Sequence, residues 1–364
     1  MINHKCIYMS KQKLLIIDKE PFGCLTDSYK WCQYLRDDYD ITFICLDSTE
    51  REKLVMDGID VRYVSSCGSR TMRGVRYMLY VLWFLLFFSG KIMVVYFPSV
   101  DVFKRIFFWK KMNLDIRTLS VYDDEVRNRQ YDAKLRKTCD LYEHITLISE
   151  GIRDKLGLDI SKTSILPLGS DVISQAPKQF NSLNLLYVGT FYNRNLDITL
   201  KGLAKYIDET GYKTIHYHIV GDGEGDILAR MKKIAYEELA LNNNVTFYGR
   251  VAHHQLTPFF DKCNVGVSFV PMTEYYEHQP PTKTYEYVLS GLYCIATATH
   301  SNKQLIDSRN GVLIKDDENS FANALIEIYN NRENIKEQEI RESLKDSTWE
   351  NIVKNILKPI LKFV

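Results

Sequence analysis

Short apolar runs separated by amphipathic stretches recur from one end of the chain to the other, and this alternation is what most limits the fold. In the first half they read KLLIID at 13–18, ITFICLD at 41–47, VRYVSS at 61–66, KIMVVYF at 91–97, RTLSVYD at 117–123 and EHITLISE at 143–150. In the second half they read LNLLYVG at 183–189, TIHYHIVGDG at 214–223, VTFYG at 245–249, VGVSFVP at 265–271, LYCIAT at 292–297 and GVLIK at 311–315. Helical patterns lie between them, among others at 26–36, 196–206, 226–241 and 320–329. Runs this short and apolar, with helices between, read as strands of a parallel sheet covered on both faces. The expected class is α/β: two doubly wound, Rossmann-like parallel-sheet domains in tandem. The polar, turn-rich stretch at 165–184 is the candidate linker. Folds of this kind bind ligands at the carboxyl ends of their strands, so the argument about function rests on the loops there.

Bulk properties exclude several classes. A chain of 364 residues exceeds the usual size of one core. A net charge of +1 argues against a dedicated nucleic-acid binder, and no nucleic-acid partner is expected. The eight cysteines are scattered and form no CxxC pair. That pattern suits reduced thiols in a cytoplasm better than a disulfide framework or a zinc site. The N-terminal stretch has no long apolar core, so a signal peptide is not expected.

Charge is uneven within the chain. From residue 60 to 119, ten Lys or Arg residues face three acids, a local excess of +7. The same region holds MLYVLWFLLFFS at 78–89, with Trp83, Phe84 and Phe87 close together. A membrane-spanning helix needs about 20 residues, so this run is too short to cross. Two readings stand: a buried helix leading into a core strand, or a helix lying on an anionic membrane through 70–111.

Four loops of the second half carry the chemistry. GTFYNRN at 189–195 offers Gly189 for close backbone approach and Arg194 for bidentate pairing with a diphosphate. GDGEGD at 221–226 offers Gly221 and Gly223 in a tight turn, and YGRV at 248–251 brings the backbone of Arg250 and Val251. The fourth is PPTKTYEYVLSGLYCIAT at 280–297. It reads as a helix start with Thr282 as cap, a short helix, a stop at Gly291 and a buried strand. A helix start suits a phosphate, and Glu286 lies one turn in, placed to accept hydrogen bonds from ribose hydroxyls. His216 with His218 and His253 with His254 lack Cys or acidic partners at ligand spacing, so no metal site is expected there.

In order and spacing, LLYVGTFYNRNLD, HIVGDGEG, NVTFYGRV and PPTKTYEYVLSGLYCIAT resemble the motifs of GT-B glycosyltransferases, most closely the retaining family 4 type. The resemblance covers about 183–330, extends weakly through ILPLGSD at 165–171 and reaches the Trp-containing terminal helix. It implies an acceptor-binding domain at 1–172, a donor-binding domain at 173–345 and a helix at 346–364 packing back on the first domain. It also implies that Glu286 binds ribose, that Arg194 binds the diphosphate, and that Thr282 and Lys283 sit beneath the phosphates. Two positions depart from the family pattern. His278 stands eight residues before Glu286, where the family carries a sugar-binding glutamate, with Glu277 beside it, and Thr190 replaces an arginine.

The implied reaction moves a sugar from a nucleotide-sugar to a glycan or polyprenyl-linked acceptor, with no metal or other cofactor. Catalytic candidates are Glu277, His278 and the pair Asp123 and Asp124 in YDDE, which is read as ending the strand at 117–123. Gly23 in EPFGC is the acceptor-side candidate. The implied location is cytoplasmic, at the inner face of the membrane. The alternatives are a GT-B-type sugar-nucleotide epimerase and a non-catalytic GT-B partner protein.

Overall fold

The computed structural model describes residues 11–48, 52–119, 125–223 and 225–363. The chain divides into two compact units. One comprises 1–168 with 349–364, the other 169–348.

The first unit is built on a seven-stranded sheet. Its strands are β1 (Gln12–Ile17), β2 (Tyr39–Leu46), β3 (Ile59–Val64), β4 (Lys91–Val95), β5 (Asn113–Ile116), β6 (His144–Leu147) and β7 (Thr163–Ile165). All pairings are parallel, in the order β3-β2-β1-β4-β5-β6-β7. Leu14, Leu15, Ile16 and Ile17 of β1 are fully buried, as a central strand covered on both faces requires.

The run read as a strand at 117–123 is displaced. The strand is Asn113–Ile116, and residues 117–119 follow it without strand pairing. The strand carries Asn113 and Asp115, two polar residues that disguise it as a loop. Both are buried and bonded within the sheet: Asn113 donates to Thr146 at 2.9 Å, and Thr146 donates to one oxygen of Asp115 at 2.6 Å, while the other lies 3.6 Å from Arg117 Nε. Asp123 and Asp124 lie outside the described residues.

The 78–89 run belongs to a longer helix, Arg70–Phe87, begun by Ser69, whose hydroxyl accepts from the Met72 N–H at 3.3 Å. Only one of its faces is buried, through Tyr77, Val81 and Leu85. The terminal segment, expected as one helix kinked at Pro359, runs as Trp349–Ile352, a wider turn over Val353–Leu357 and Lys358–Ile360. Trp349, Val353, Leu357 and Leu361 are buried in the first unit, and Lys358 pairs with Asp38 at 2.7 Å.

The second unit has six parallel strands: β8 (Leu183–Val188), β9 (Ile215–Val220), β10 (Val245–Gly249), β11 (Val265–Ser268), β12 (Tyr293–Thr297) and β13 (Gly311–Ile314). Their order is β10-β9-β8-β11-β12-β13. The chain direction of the crossovers reverses between β8 and β11. A crevice opens at such a switch point, at the carboxyl ends of the strands. All four chemistry-bearing loops follow strands of this sheet. The helix expected at 226–241 is shorter, Ile227–Lys233, and continues as a wide turn over Ile234–Glu238.

Candidate functional site

The loops after β8, β9 and β10 are laced together by their backbones. The Gly189 N–H donates to Val220 O at 3.0 Å, the Phe191 N–H to Asp222 O at 2.9 Å, and the Gly221 N–H to Gly249 O at 2.7 Å. The approach is close enough that a Cβ on Gly221 would stand 1.8 Å from Gly189 O. No side chain fits there, so glycine at 221 is what lets the loops meet. Gly223 follows, against Ile227. Beyond β10, Arg250 is exposed and Val251 packs on the cluster around Phe260 and Val288.

The fourth segment forms the helix Thr282–Leu289. Pro281, not Thr282, occupies the capping position, with extended backbone and no side-chain cap. Thr282 is therefore the first helical residue. The helix is fixed to the sheet by its polar side chains. Thr284 shares a 2.7 Å hydrogen bond with Ser268 and donates to Asn302 at 3.1 Å. The Tyr287 hydroxyl accepts from the Val188 N–H at 2.8 Å, at the end of β8. Gly291 ends the element with a left-handed φ of 78°.

This anchoring drives Lys283 inward. Its ammonium lies 3.9 Å from the centre of the Tyr187 ring, the position a cation–π contact favours. It stands 3.1 Å from where a Gly189 Cβ would be. It is buried, and among the described residues it has no hydrogen-bond partner. Burial lowers its pKa from 10.5 to about 7, and the positive charge of Arg194 pushes the same way against the pull of Glu286. An amine that meets a ring face and no hydrogen-bond acceptor among the described residues keeps its donors for an incoming anion.

Arg194 lies over the Tyr276 ring at 4.6 Å and donates to the Tyr276 hydroxyl. Glu286, one turn after Lys283, is mostly buried, and its carboxylate lies 3.2 Å from His253 Nε2. Glu277 accepts at 3.1 Å from the His300 N–H, and its carbonyl accepts from Ser301 at 3.2 Å. His278 meets the His300 ring edge to face at 5.0 Å. Gly189, Arg194, Lys283 and Glu286 thus share one end of the second sheet, with Thr282 at the same helix start.

Residues 182–331 match the family model described as Glycosyl transferases group 1. This segment is a group 1 glycosyltransferase domain. No curated protein matches the sequence. Among solved structures, the chain resembles sucrose-phosphate synthase from Thermosynechococcus elongatus, with a TM-score of 0.75 at 15% identity, over 97% of this chain and 99% of that one. It also resembles the lipopolysaccharide outer core galactosyltransferase WaaB, with a TM-score of 0.71 at 15% identity over 97% and 100% of the two chains. HepE from Anabaena, in complex with UDP-glucose, gives a TM-score of 0.72 at 14% identity over 96% and 100%. At these identities the likeness establishes the fold, which is GT-B.

Some contacts of the group 1 domain are not legible in sequence: nothing sets Tyr187 and Tyr276 apart among 24 tyrosines, and the contact of His253 with Glu286 spans 33 positions. The rings of His216 and His218 lie 4.4 Å apart at a tilt of 38°, and burial, helped by His216, lowers the pKa of His218 to about 4. Among the described residues no group of three or more His, Cys, Asp or Glu is placed to hold a metal.

In the first unit, Gly23 lies in the loop after β1, where a Cβ would meet Leu54 at 2.5 Å. Close by in sequence, Asp18 accepts from the Ser28 hydroxyl at 2.8 Å and from the Glu20 N–H at 3.0 Å, and burial raises it to about 7. Burial likewise raises Asp115 to about 6, opposed by Arg117, which pairs with Asp27 at 2.7 Å. No sequence motif distinguishes these buried acids from turn residues.

Proposed function

We propose that the protein is a retaining glycosyltransferase that takes a sugar from a nucleotide-sugar donor bound to the second domain. The observation that carries this reading is the buried Lys283 at the first turn of Thr282–Leu289, without a hydrogen-bond partner among the described residues, with Glu286 one turn further on. Lys283 and Arg194 meet the donor diphosphate, and Glu286 accepts from the ribose hydroxyls. As the bond between the sugar carbon and the diphosphate oxygen breaks, negative charge grows on the leaving group. Two fixed cations oppose that charge, so no step of this reading needs a bound metal. The acceptor oxygen bonds to the sugar carbon on the same face, and its proton passes to the departing phosphate.

The acceptor is a glycan or polyprenyl-linked chain at the cytoplasmic membrane face, and the pathway is surface polysaccharide or glycoconjugate synthesis. Asp123 and Asp124 orient its hydroxyl, and Gly23 admits it. HepE was solved with UDP-glucose, which supports UDP-glucose as the first donor to try. A second reading, a non-catalytic GT-B partner, draws on His278, which stands where a sugar-binding glutamate is expected, while the carboxylate of its neighbour Glu277 is taken by the His300 N–H. Release of free nucleotide from UDP-, GDP- and dTDP-sugars separates the two. Glu286→Ala should lower kcat/KM about 10- to 100-fold while the fold survives, since charged hydrogen bonds of this kind are worth about 1.5–3 kcal/mol. Unchanged turnover in that variant sinks the site assignment, and no release from any donor favours the non-catalytic reading.

A further inference from the structure

The Arg70–Phe87 helix carries two apolar faces. Tyr77, Val81 and Leu85 point into the first domain. Opposite them, Met72, Val75, Leu79, Trp83 and Leu86 recur every three or four residues, and each is more than half exposed. That spacing draws one stripe along the solvent side. Phe87 extends it at 72% exposed. A surface helix of a globular protein normally shows a polar back, so this stripe calls for a partner.

A second element continues the patch. Lys110 donates to Phe88 O at 2.7 Å, which ties the loop after Phe107 to the end of the helix. On that loop Phe108 and Trp109 are 73% and 61% exposed. Charge identifies what would cover these rings. From residue 61 to 100 there is no Asp or Glu, while Arg62, Arg70, Arg73, Arg76 and Lys91 fall there. Arg70 at the helix start and Lys111 beside Trp109 are exposed. A second copy meeting this face about a two-fold axis would set the same cations against each other. An anionic lipid surface takes both the apolar side chains and the cations, and Trp side chains favour the depth of the headgroups. No described helix is long and apolar enough to cross a membrane, so the helix would lie in the surface.

We propose that the first domain docks on anionic lipid through the Met72–Leu86 stripe and the Phe108–Trp109 loop. The test is flotation of the full chain with phosphatidylcholine vesicles, with and without phosphatidylglycerol, at low and high salt. The wild type should float with the anionic vesicles at low salt and be partly released by high salt. Leu79→Ser with Trp83→Ser, and separately Phe108→Ser with Trp109→Ser, should each cut the bound fraction at least about tenfold, because each pair removes two large buried apolar groups from the complex. These side chains are exposed, so thermal melts of the variants should match the wild type. Arg70→Glu with Lys111→Glu should weaken binding several-fold at low salt. The proposal is overturned if the wild type stays unbound at low salt, if both vesicle types bind equally, or if the variants float as the wild type does. A concentration-dependent dimer that the same variants disperse also overturns it, in favour of a second copy. Nucleotide binding is a separate readout, so failure of docking and failure of the transferase reading are distinguishable.

Discussion

Lys283 is a buried amine in the second domain with no hydrogen-bond partner among the described residues. Its folded pKa, about 7, lies below the 10.5 of the free side chain. Between those values the unfolded chain binds the proton and the folded chain does not. Stability therefore rises with pH through that window, and the cost of burying the charge is greatest below about pH 7. A bound diphosphate favours the ammonium and raises its pKa again. Above about pH 7 the donor must bring a proton with it, so affinity should fall as pH rises, by up to about tenfold per unit. A sugar diphosphate ester has no ionisation of its own near neutrality, which isolates the effect. Calorimetric titration of a nucleotide-sugar across this range should show the slope in the wild type and a flat profile in Lys283→Met. Identical slopes in both would place the proton elsewhere.

At the scale of the element, the Thr282–Leu289 helix is held as a rigid shelf. Tyr287 packs so closely that a Cβ on Gly266 would stand 2.3 Å from its ring, and its hydroxyl takes the Val188 N–H. Tyr287→Phe leaves that N–H without its partner. The loss should be about 1–3 kcal/mol in stability, read as a lower denaturation midpoint. Because Val188 precedes Gly189, the weakened β8 end should also loosen donor binding. A variant as stable as the wild type would show that the bond is not needed to hold the shelf.

Elements of this kind were legible in sequence to different degrees. Strands such as β1 and β8 are apolar because both faces are covered, so the pattern finds them. β5 lies earlier than the apolar pattern places it, because Asn113 and Asp115 are linked through Thr146 inside the sheet, which composition does not reveal. The helix start and the stop at Gly291 are legible because backbone needs fix those residue types locally. The cradle of Lys283 was not, because Tyr187 reaches it from 96 positions away in the chain. Nor was the second apolar face of Arg70–Phe87, since a run of apolar residues has the same text whether or not a core covers it.

At the scale of the molecule, the chain is two parallel-sheet units, with residues 349–364 returning to the first after the second is complete. The group 1 segment at 182–331 lies wholly within the second unit. The residues proposed for the donor therefore come from one sheet and one core, and donor binding can be measured without reference to the acceptor. The most direct measurement is calorimetric titration of the full chain with UDP-, GDP- and dTDP-sugars, repeated on Lys283→Ala and Glu286→Ala. One donor should bind at a single site in the wild type, and each substitution should weaken it about tenfold or more while the melting profile stays cooperative. A chain that binds none of these donors, or binds one equally well in all three forms, contradicts the account.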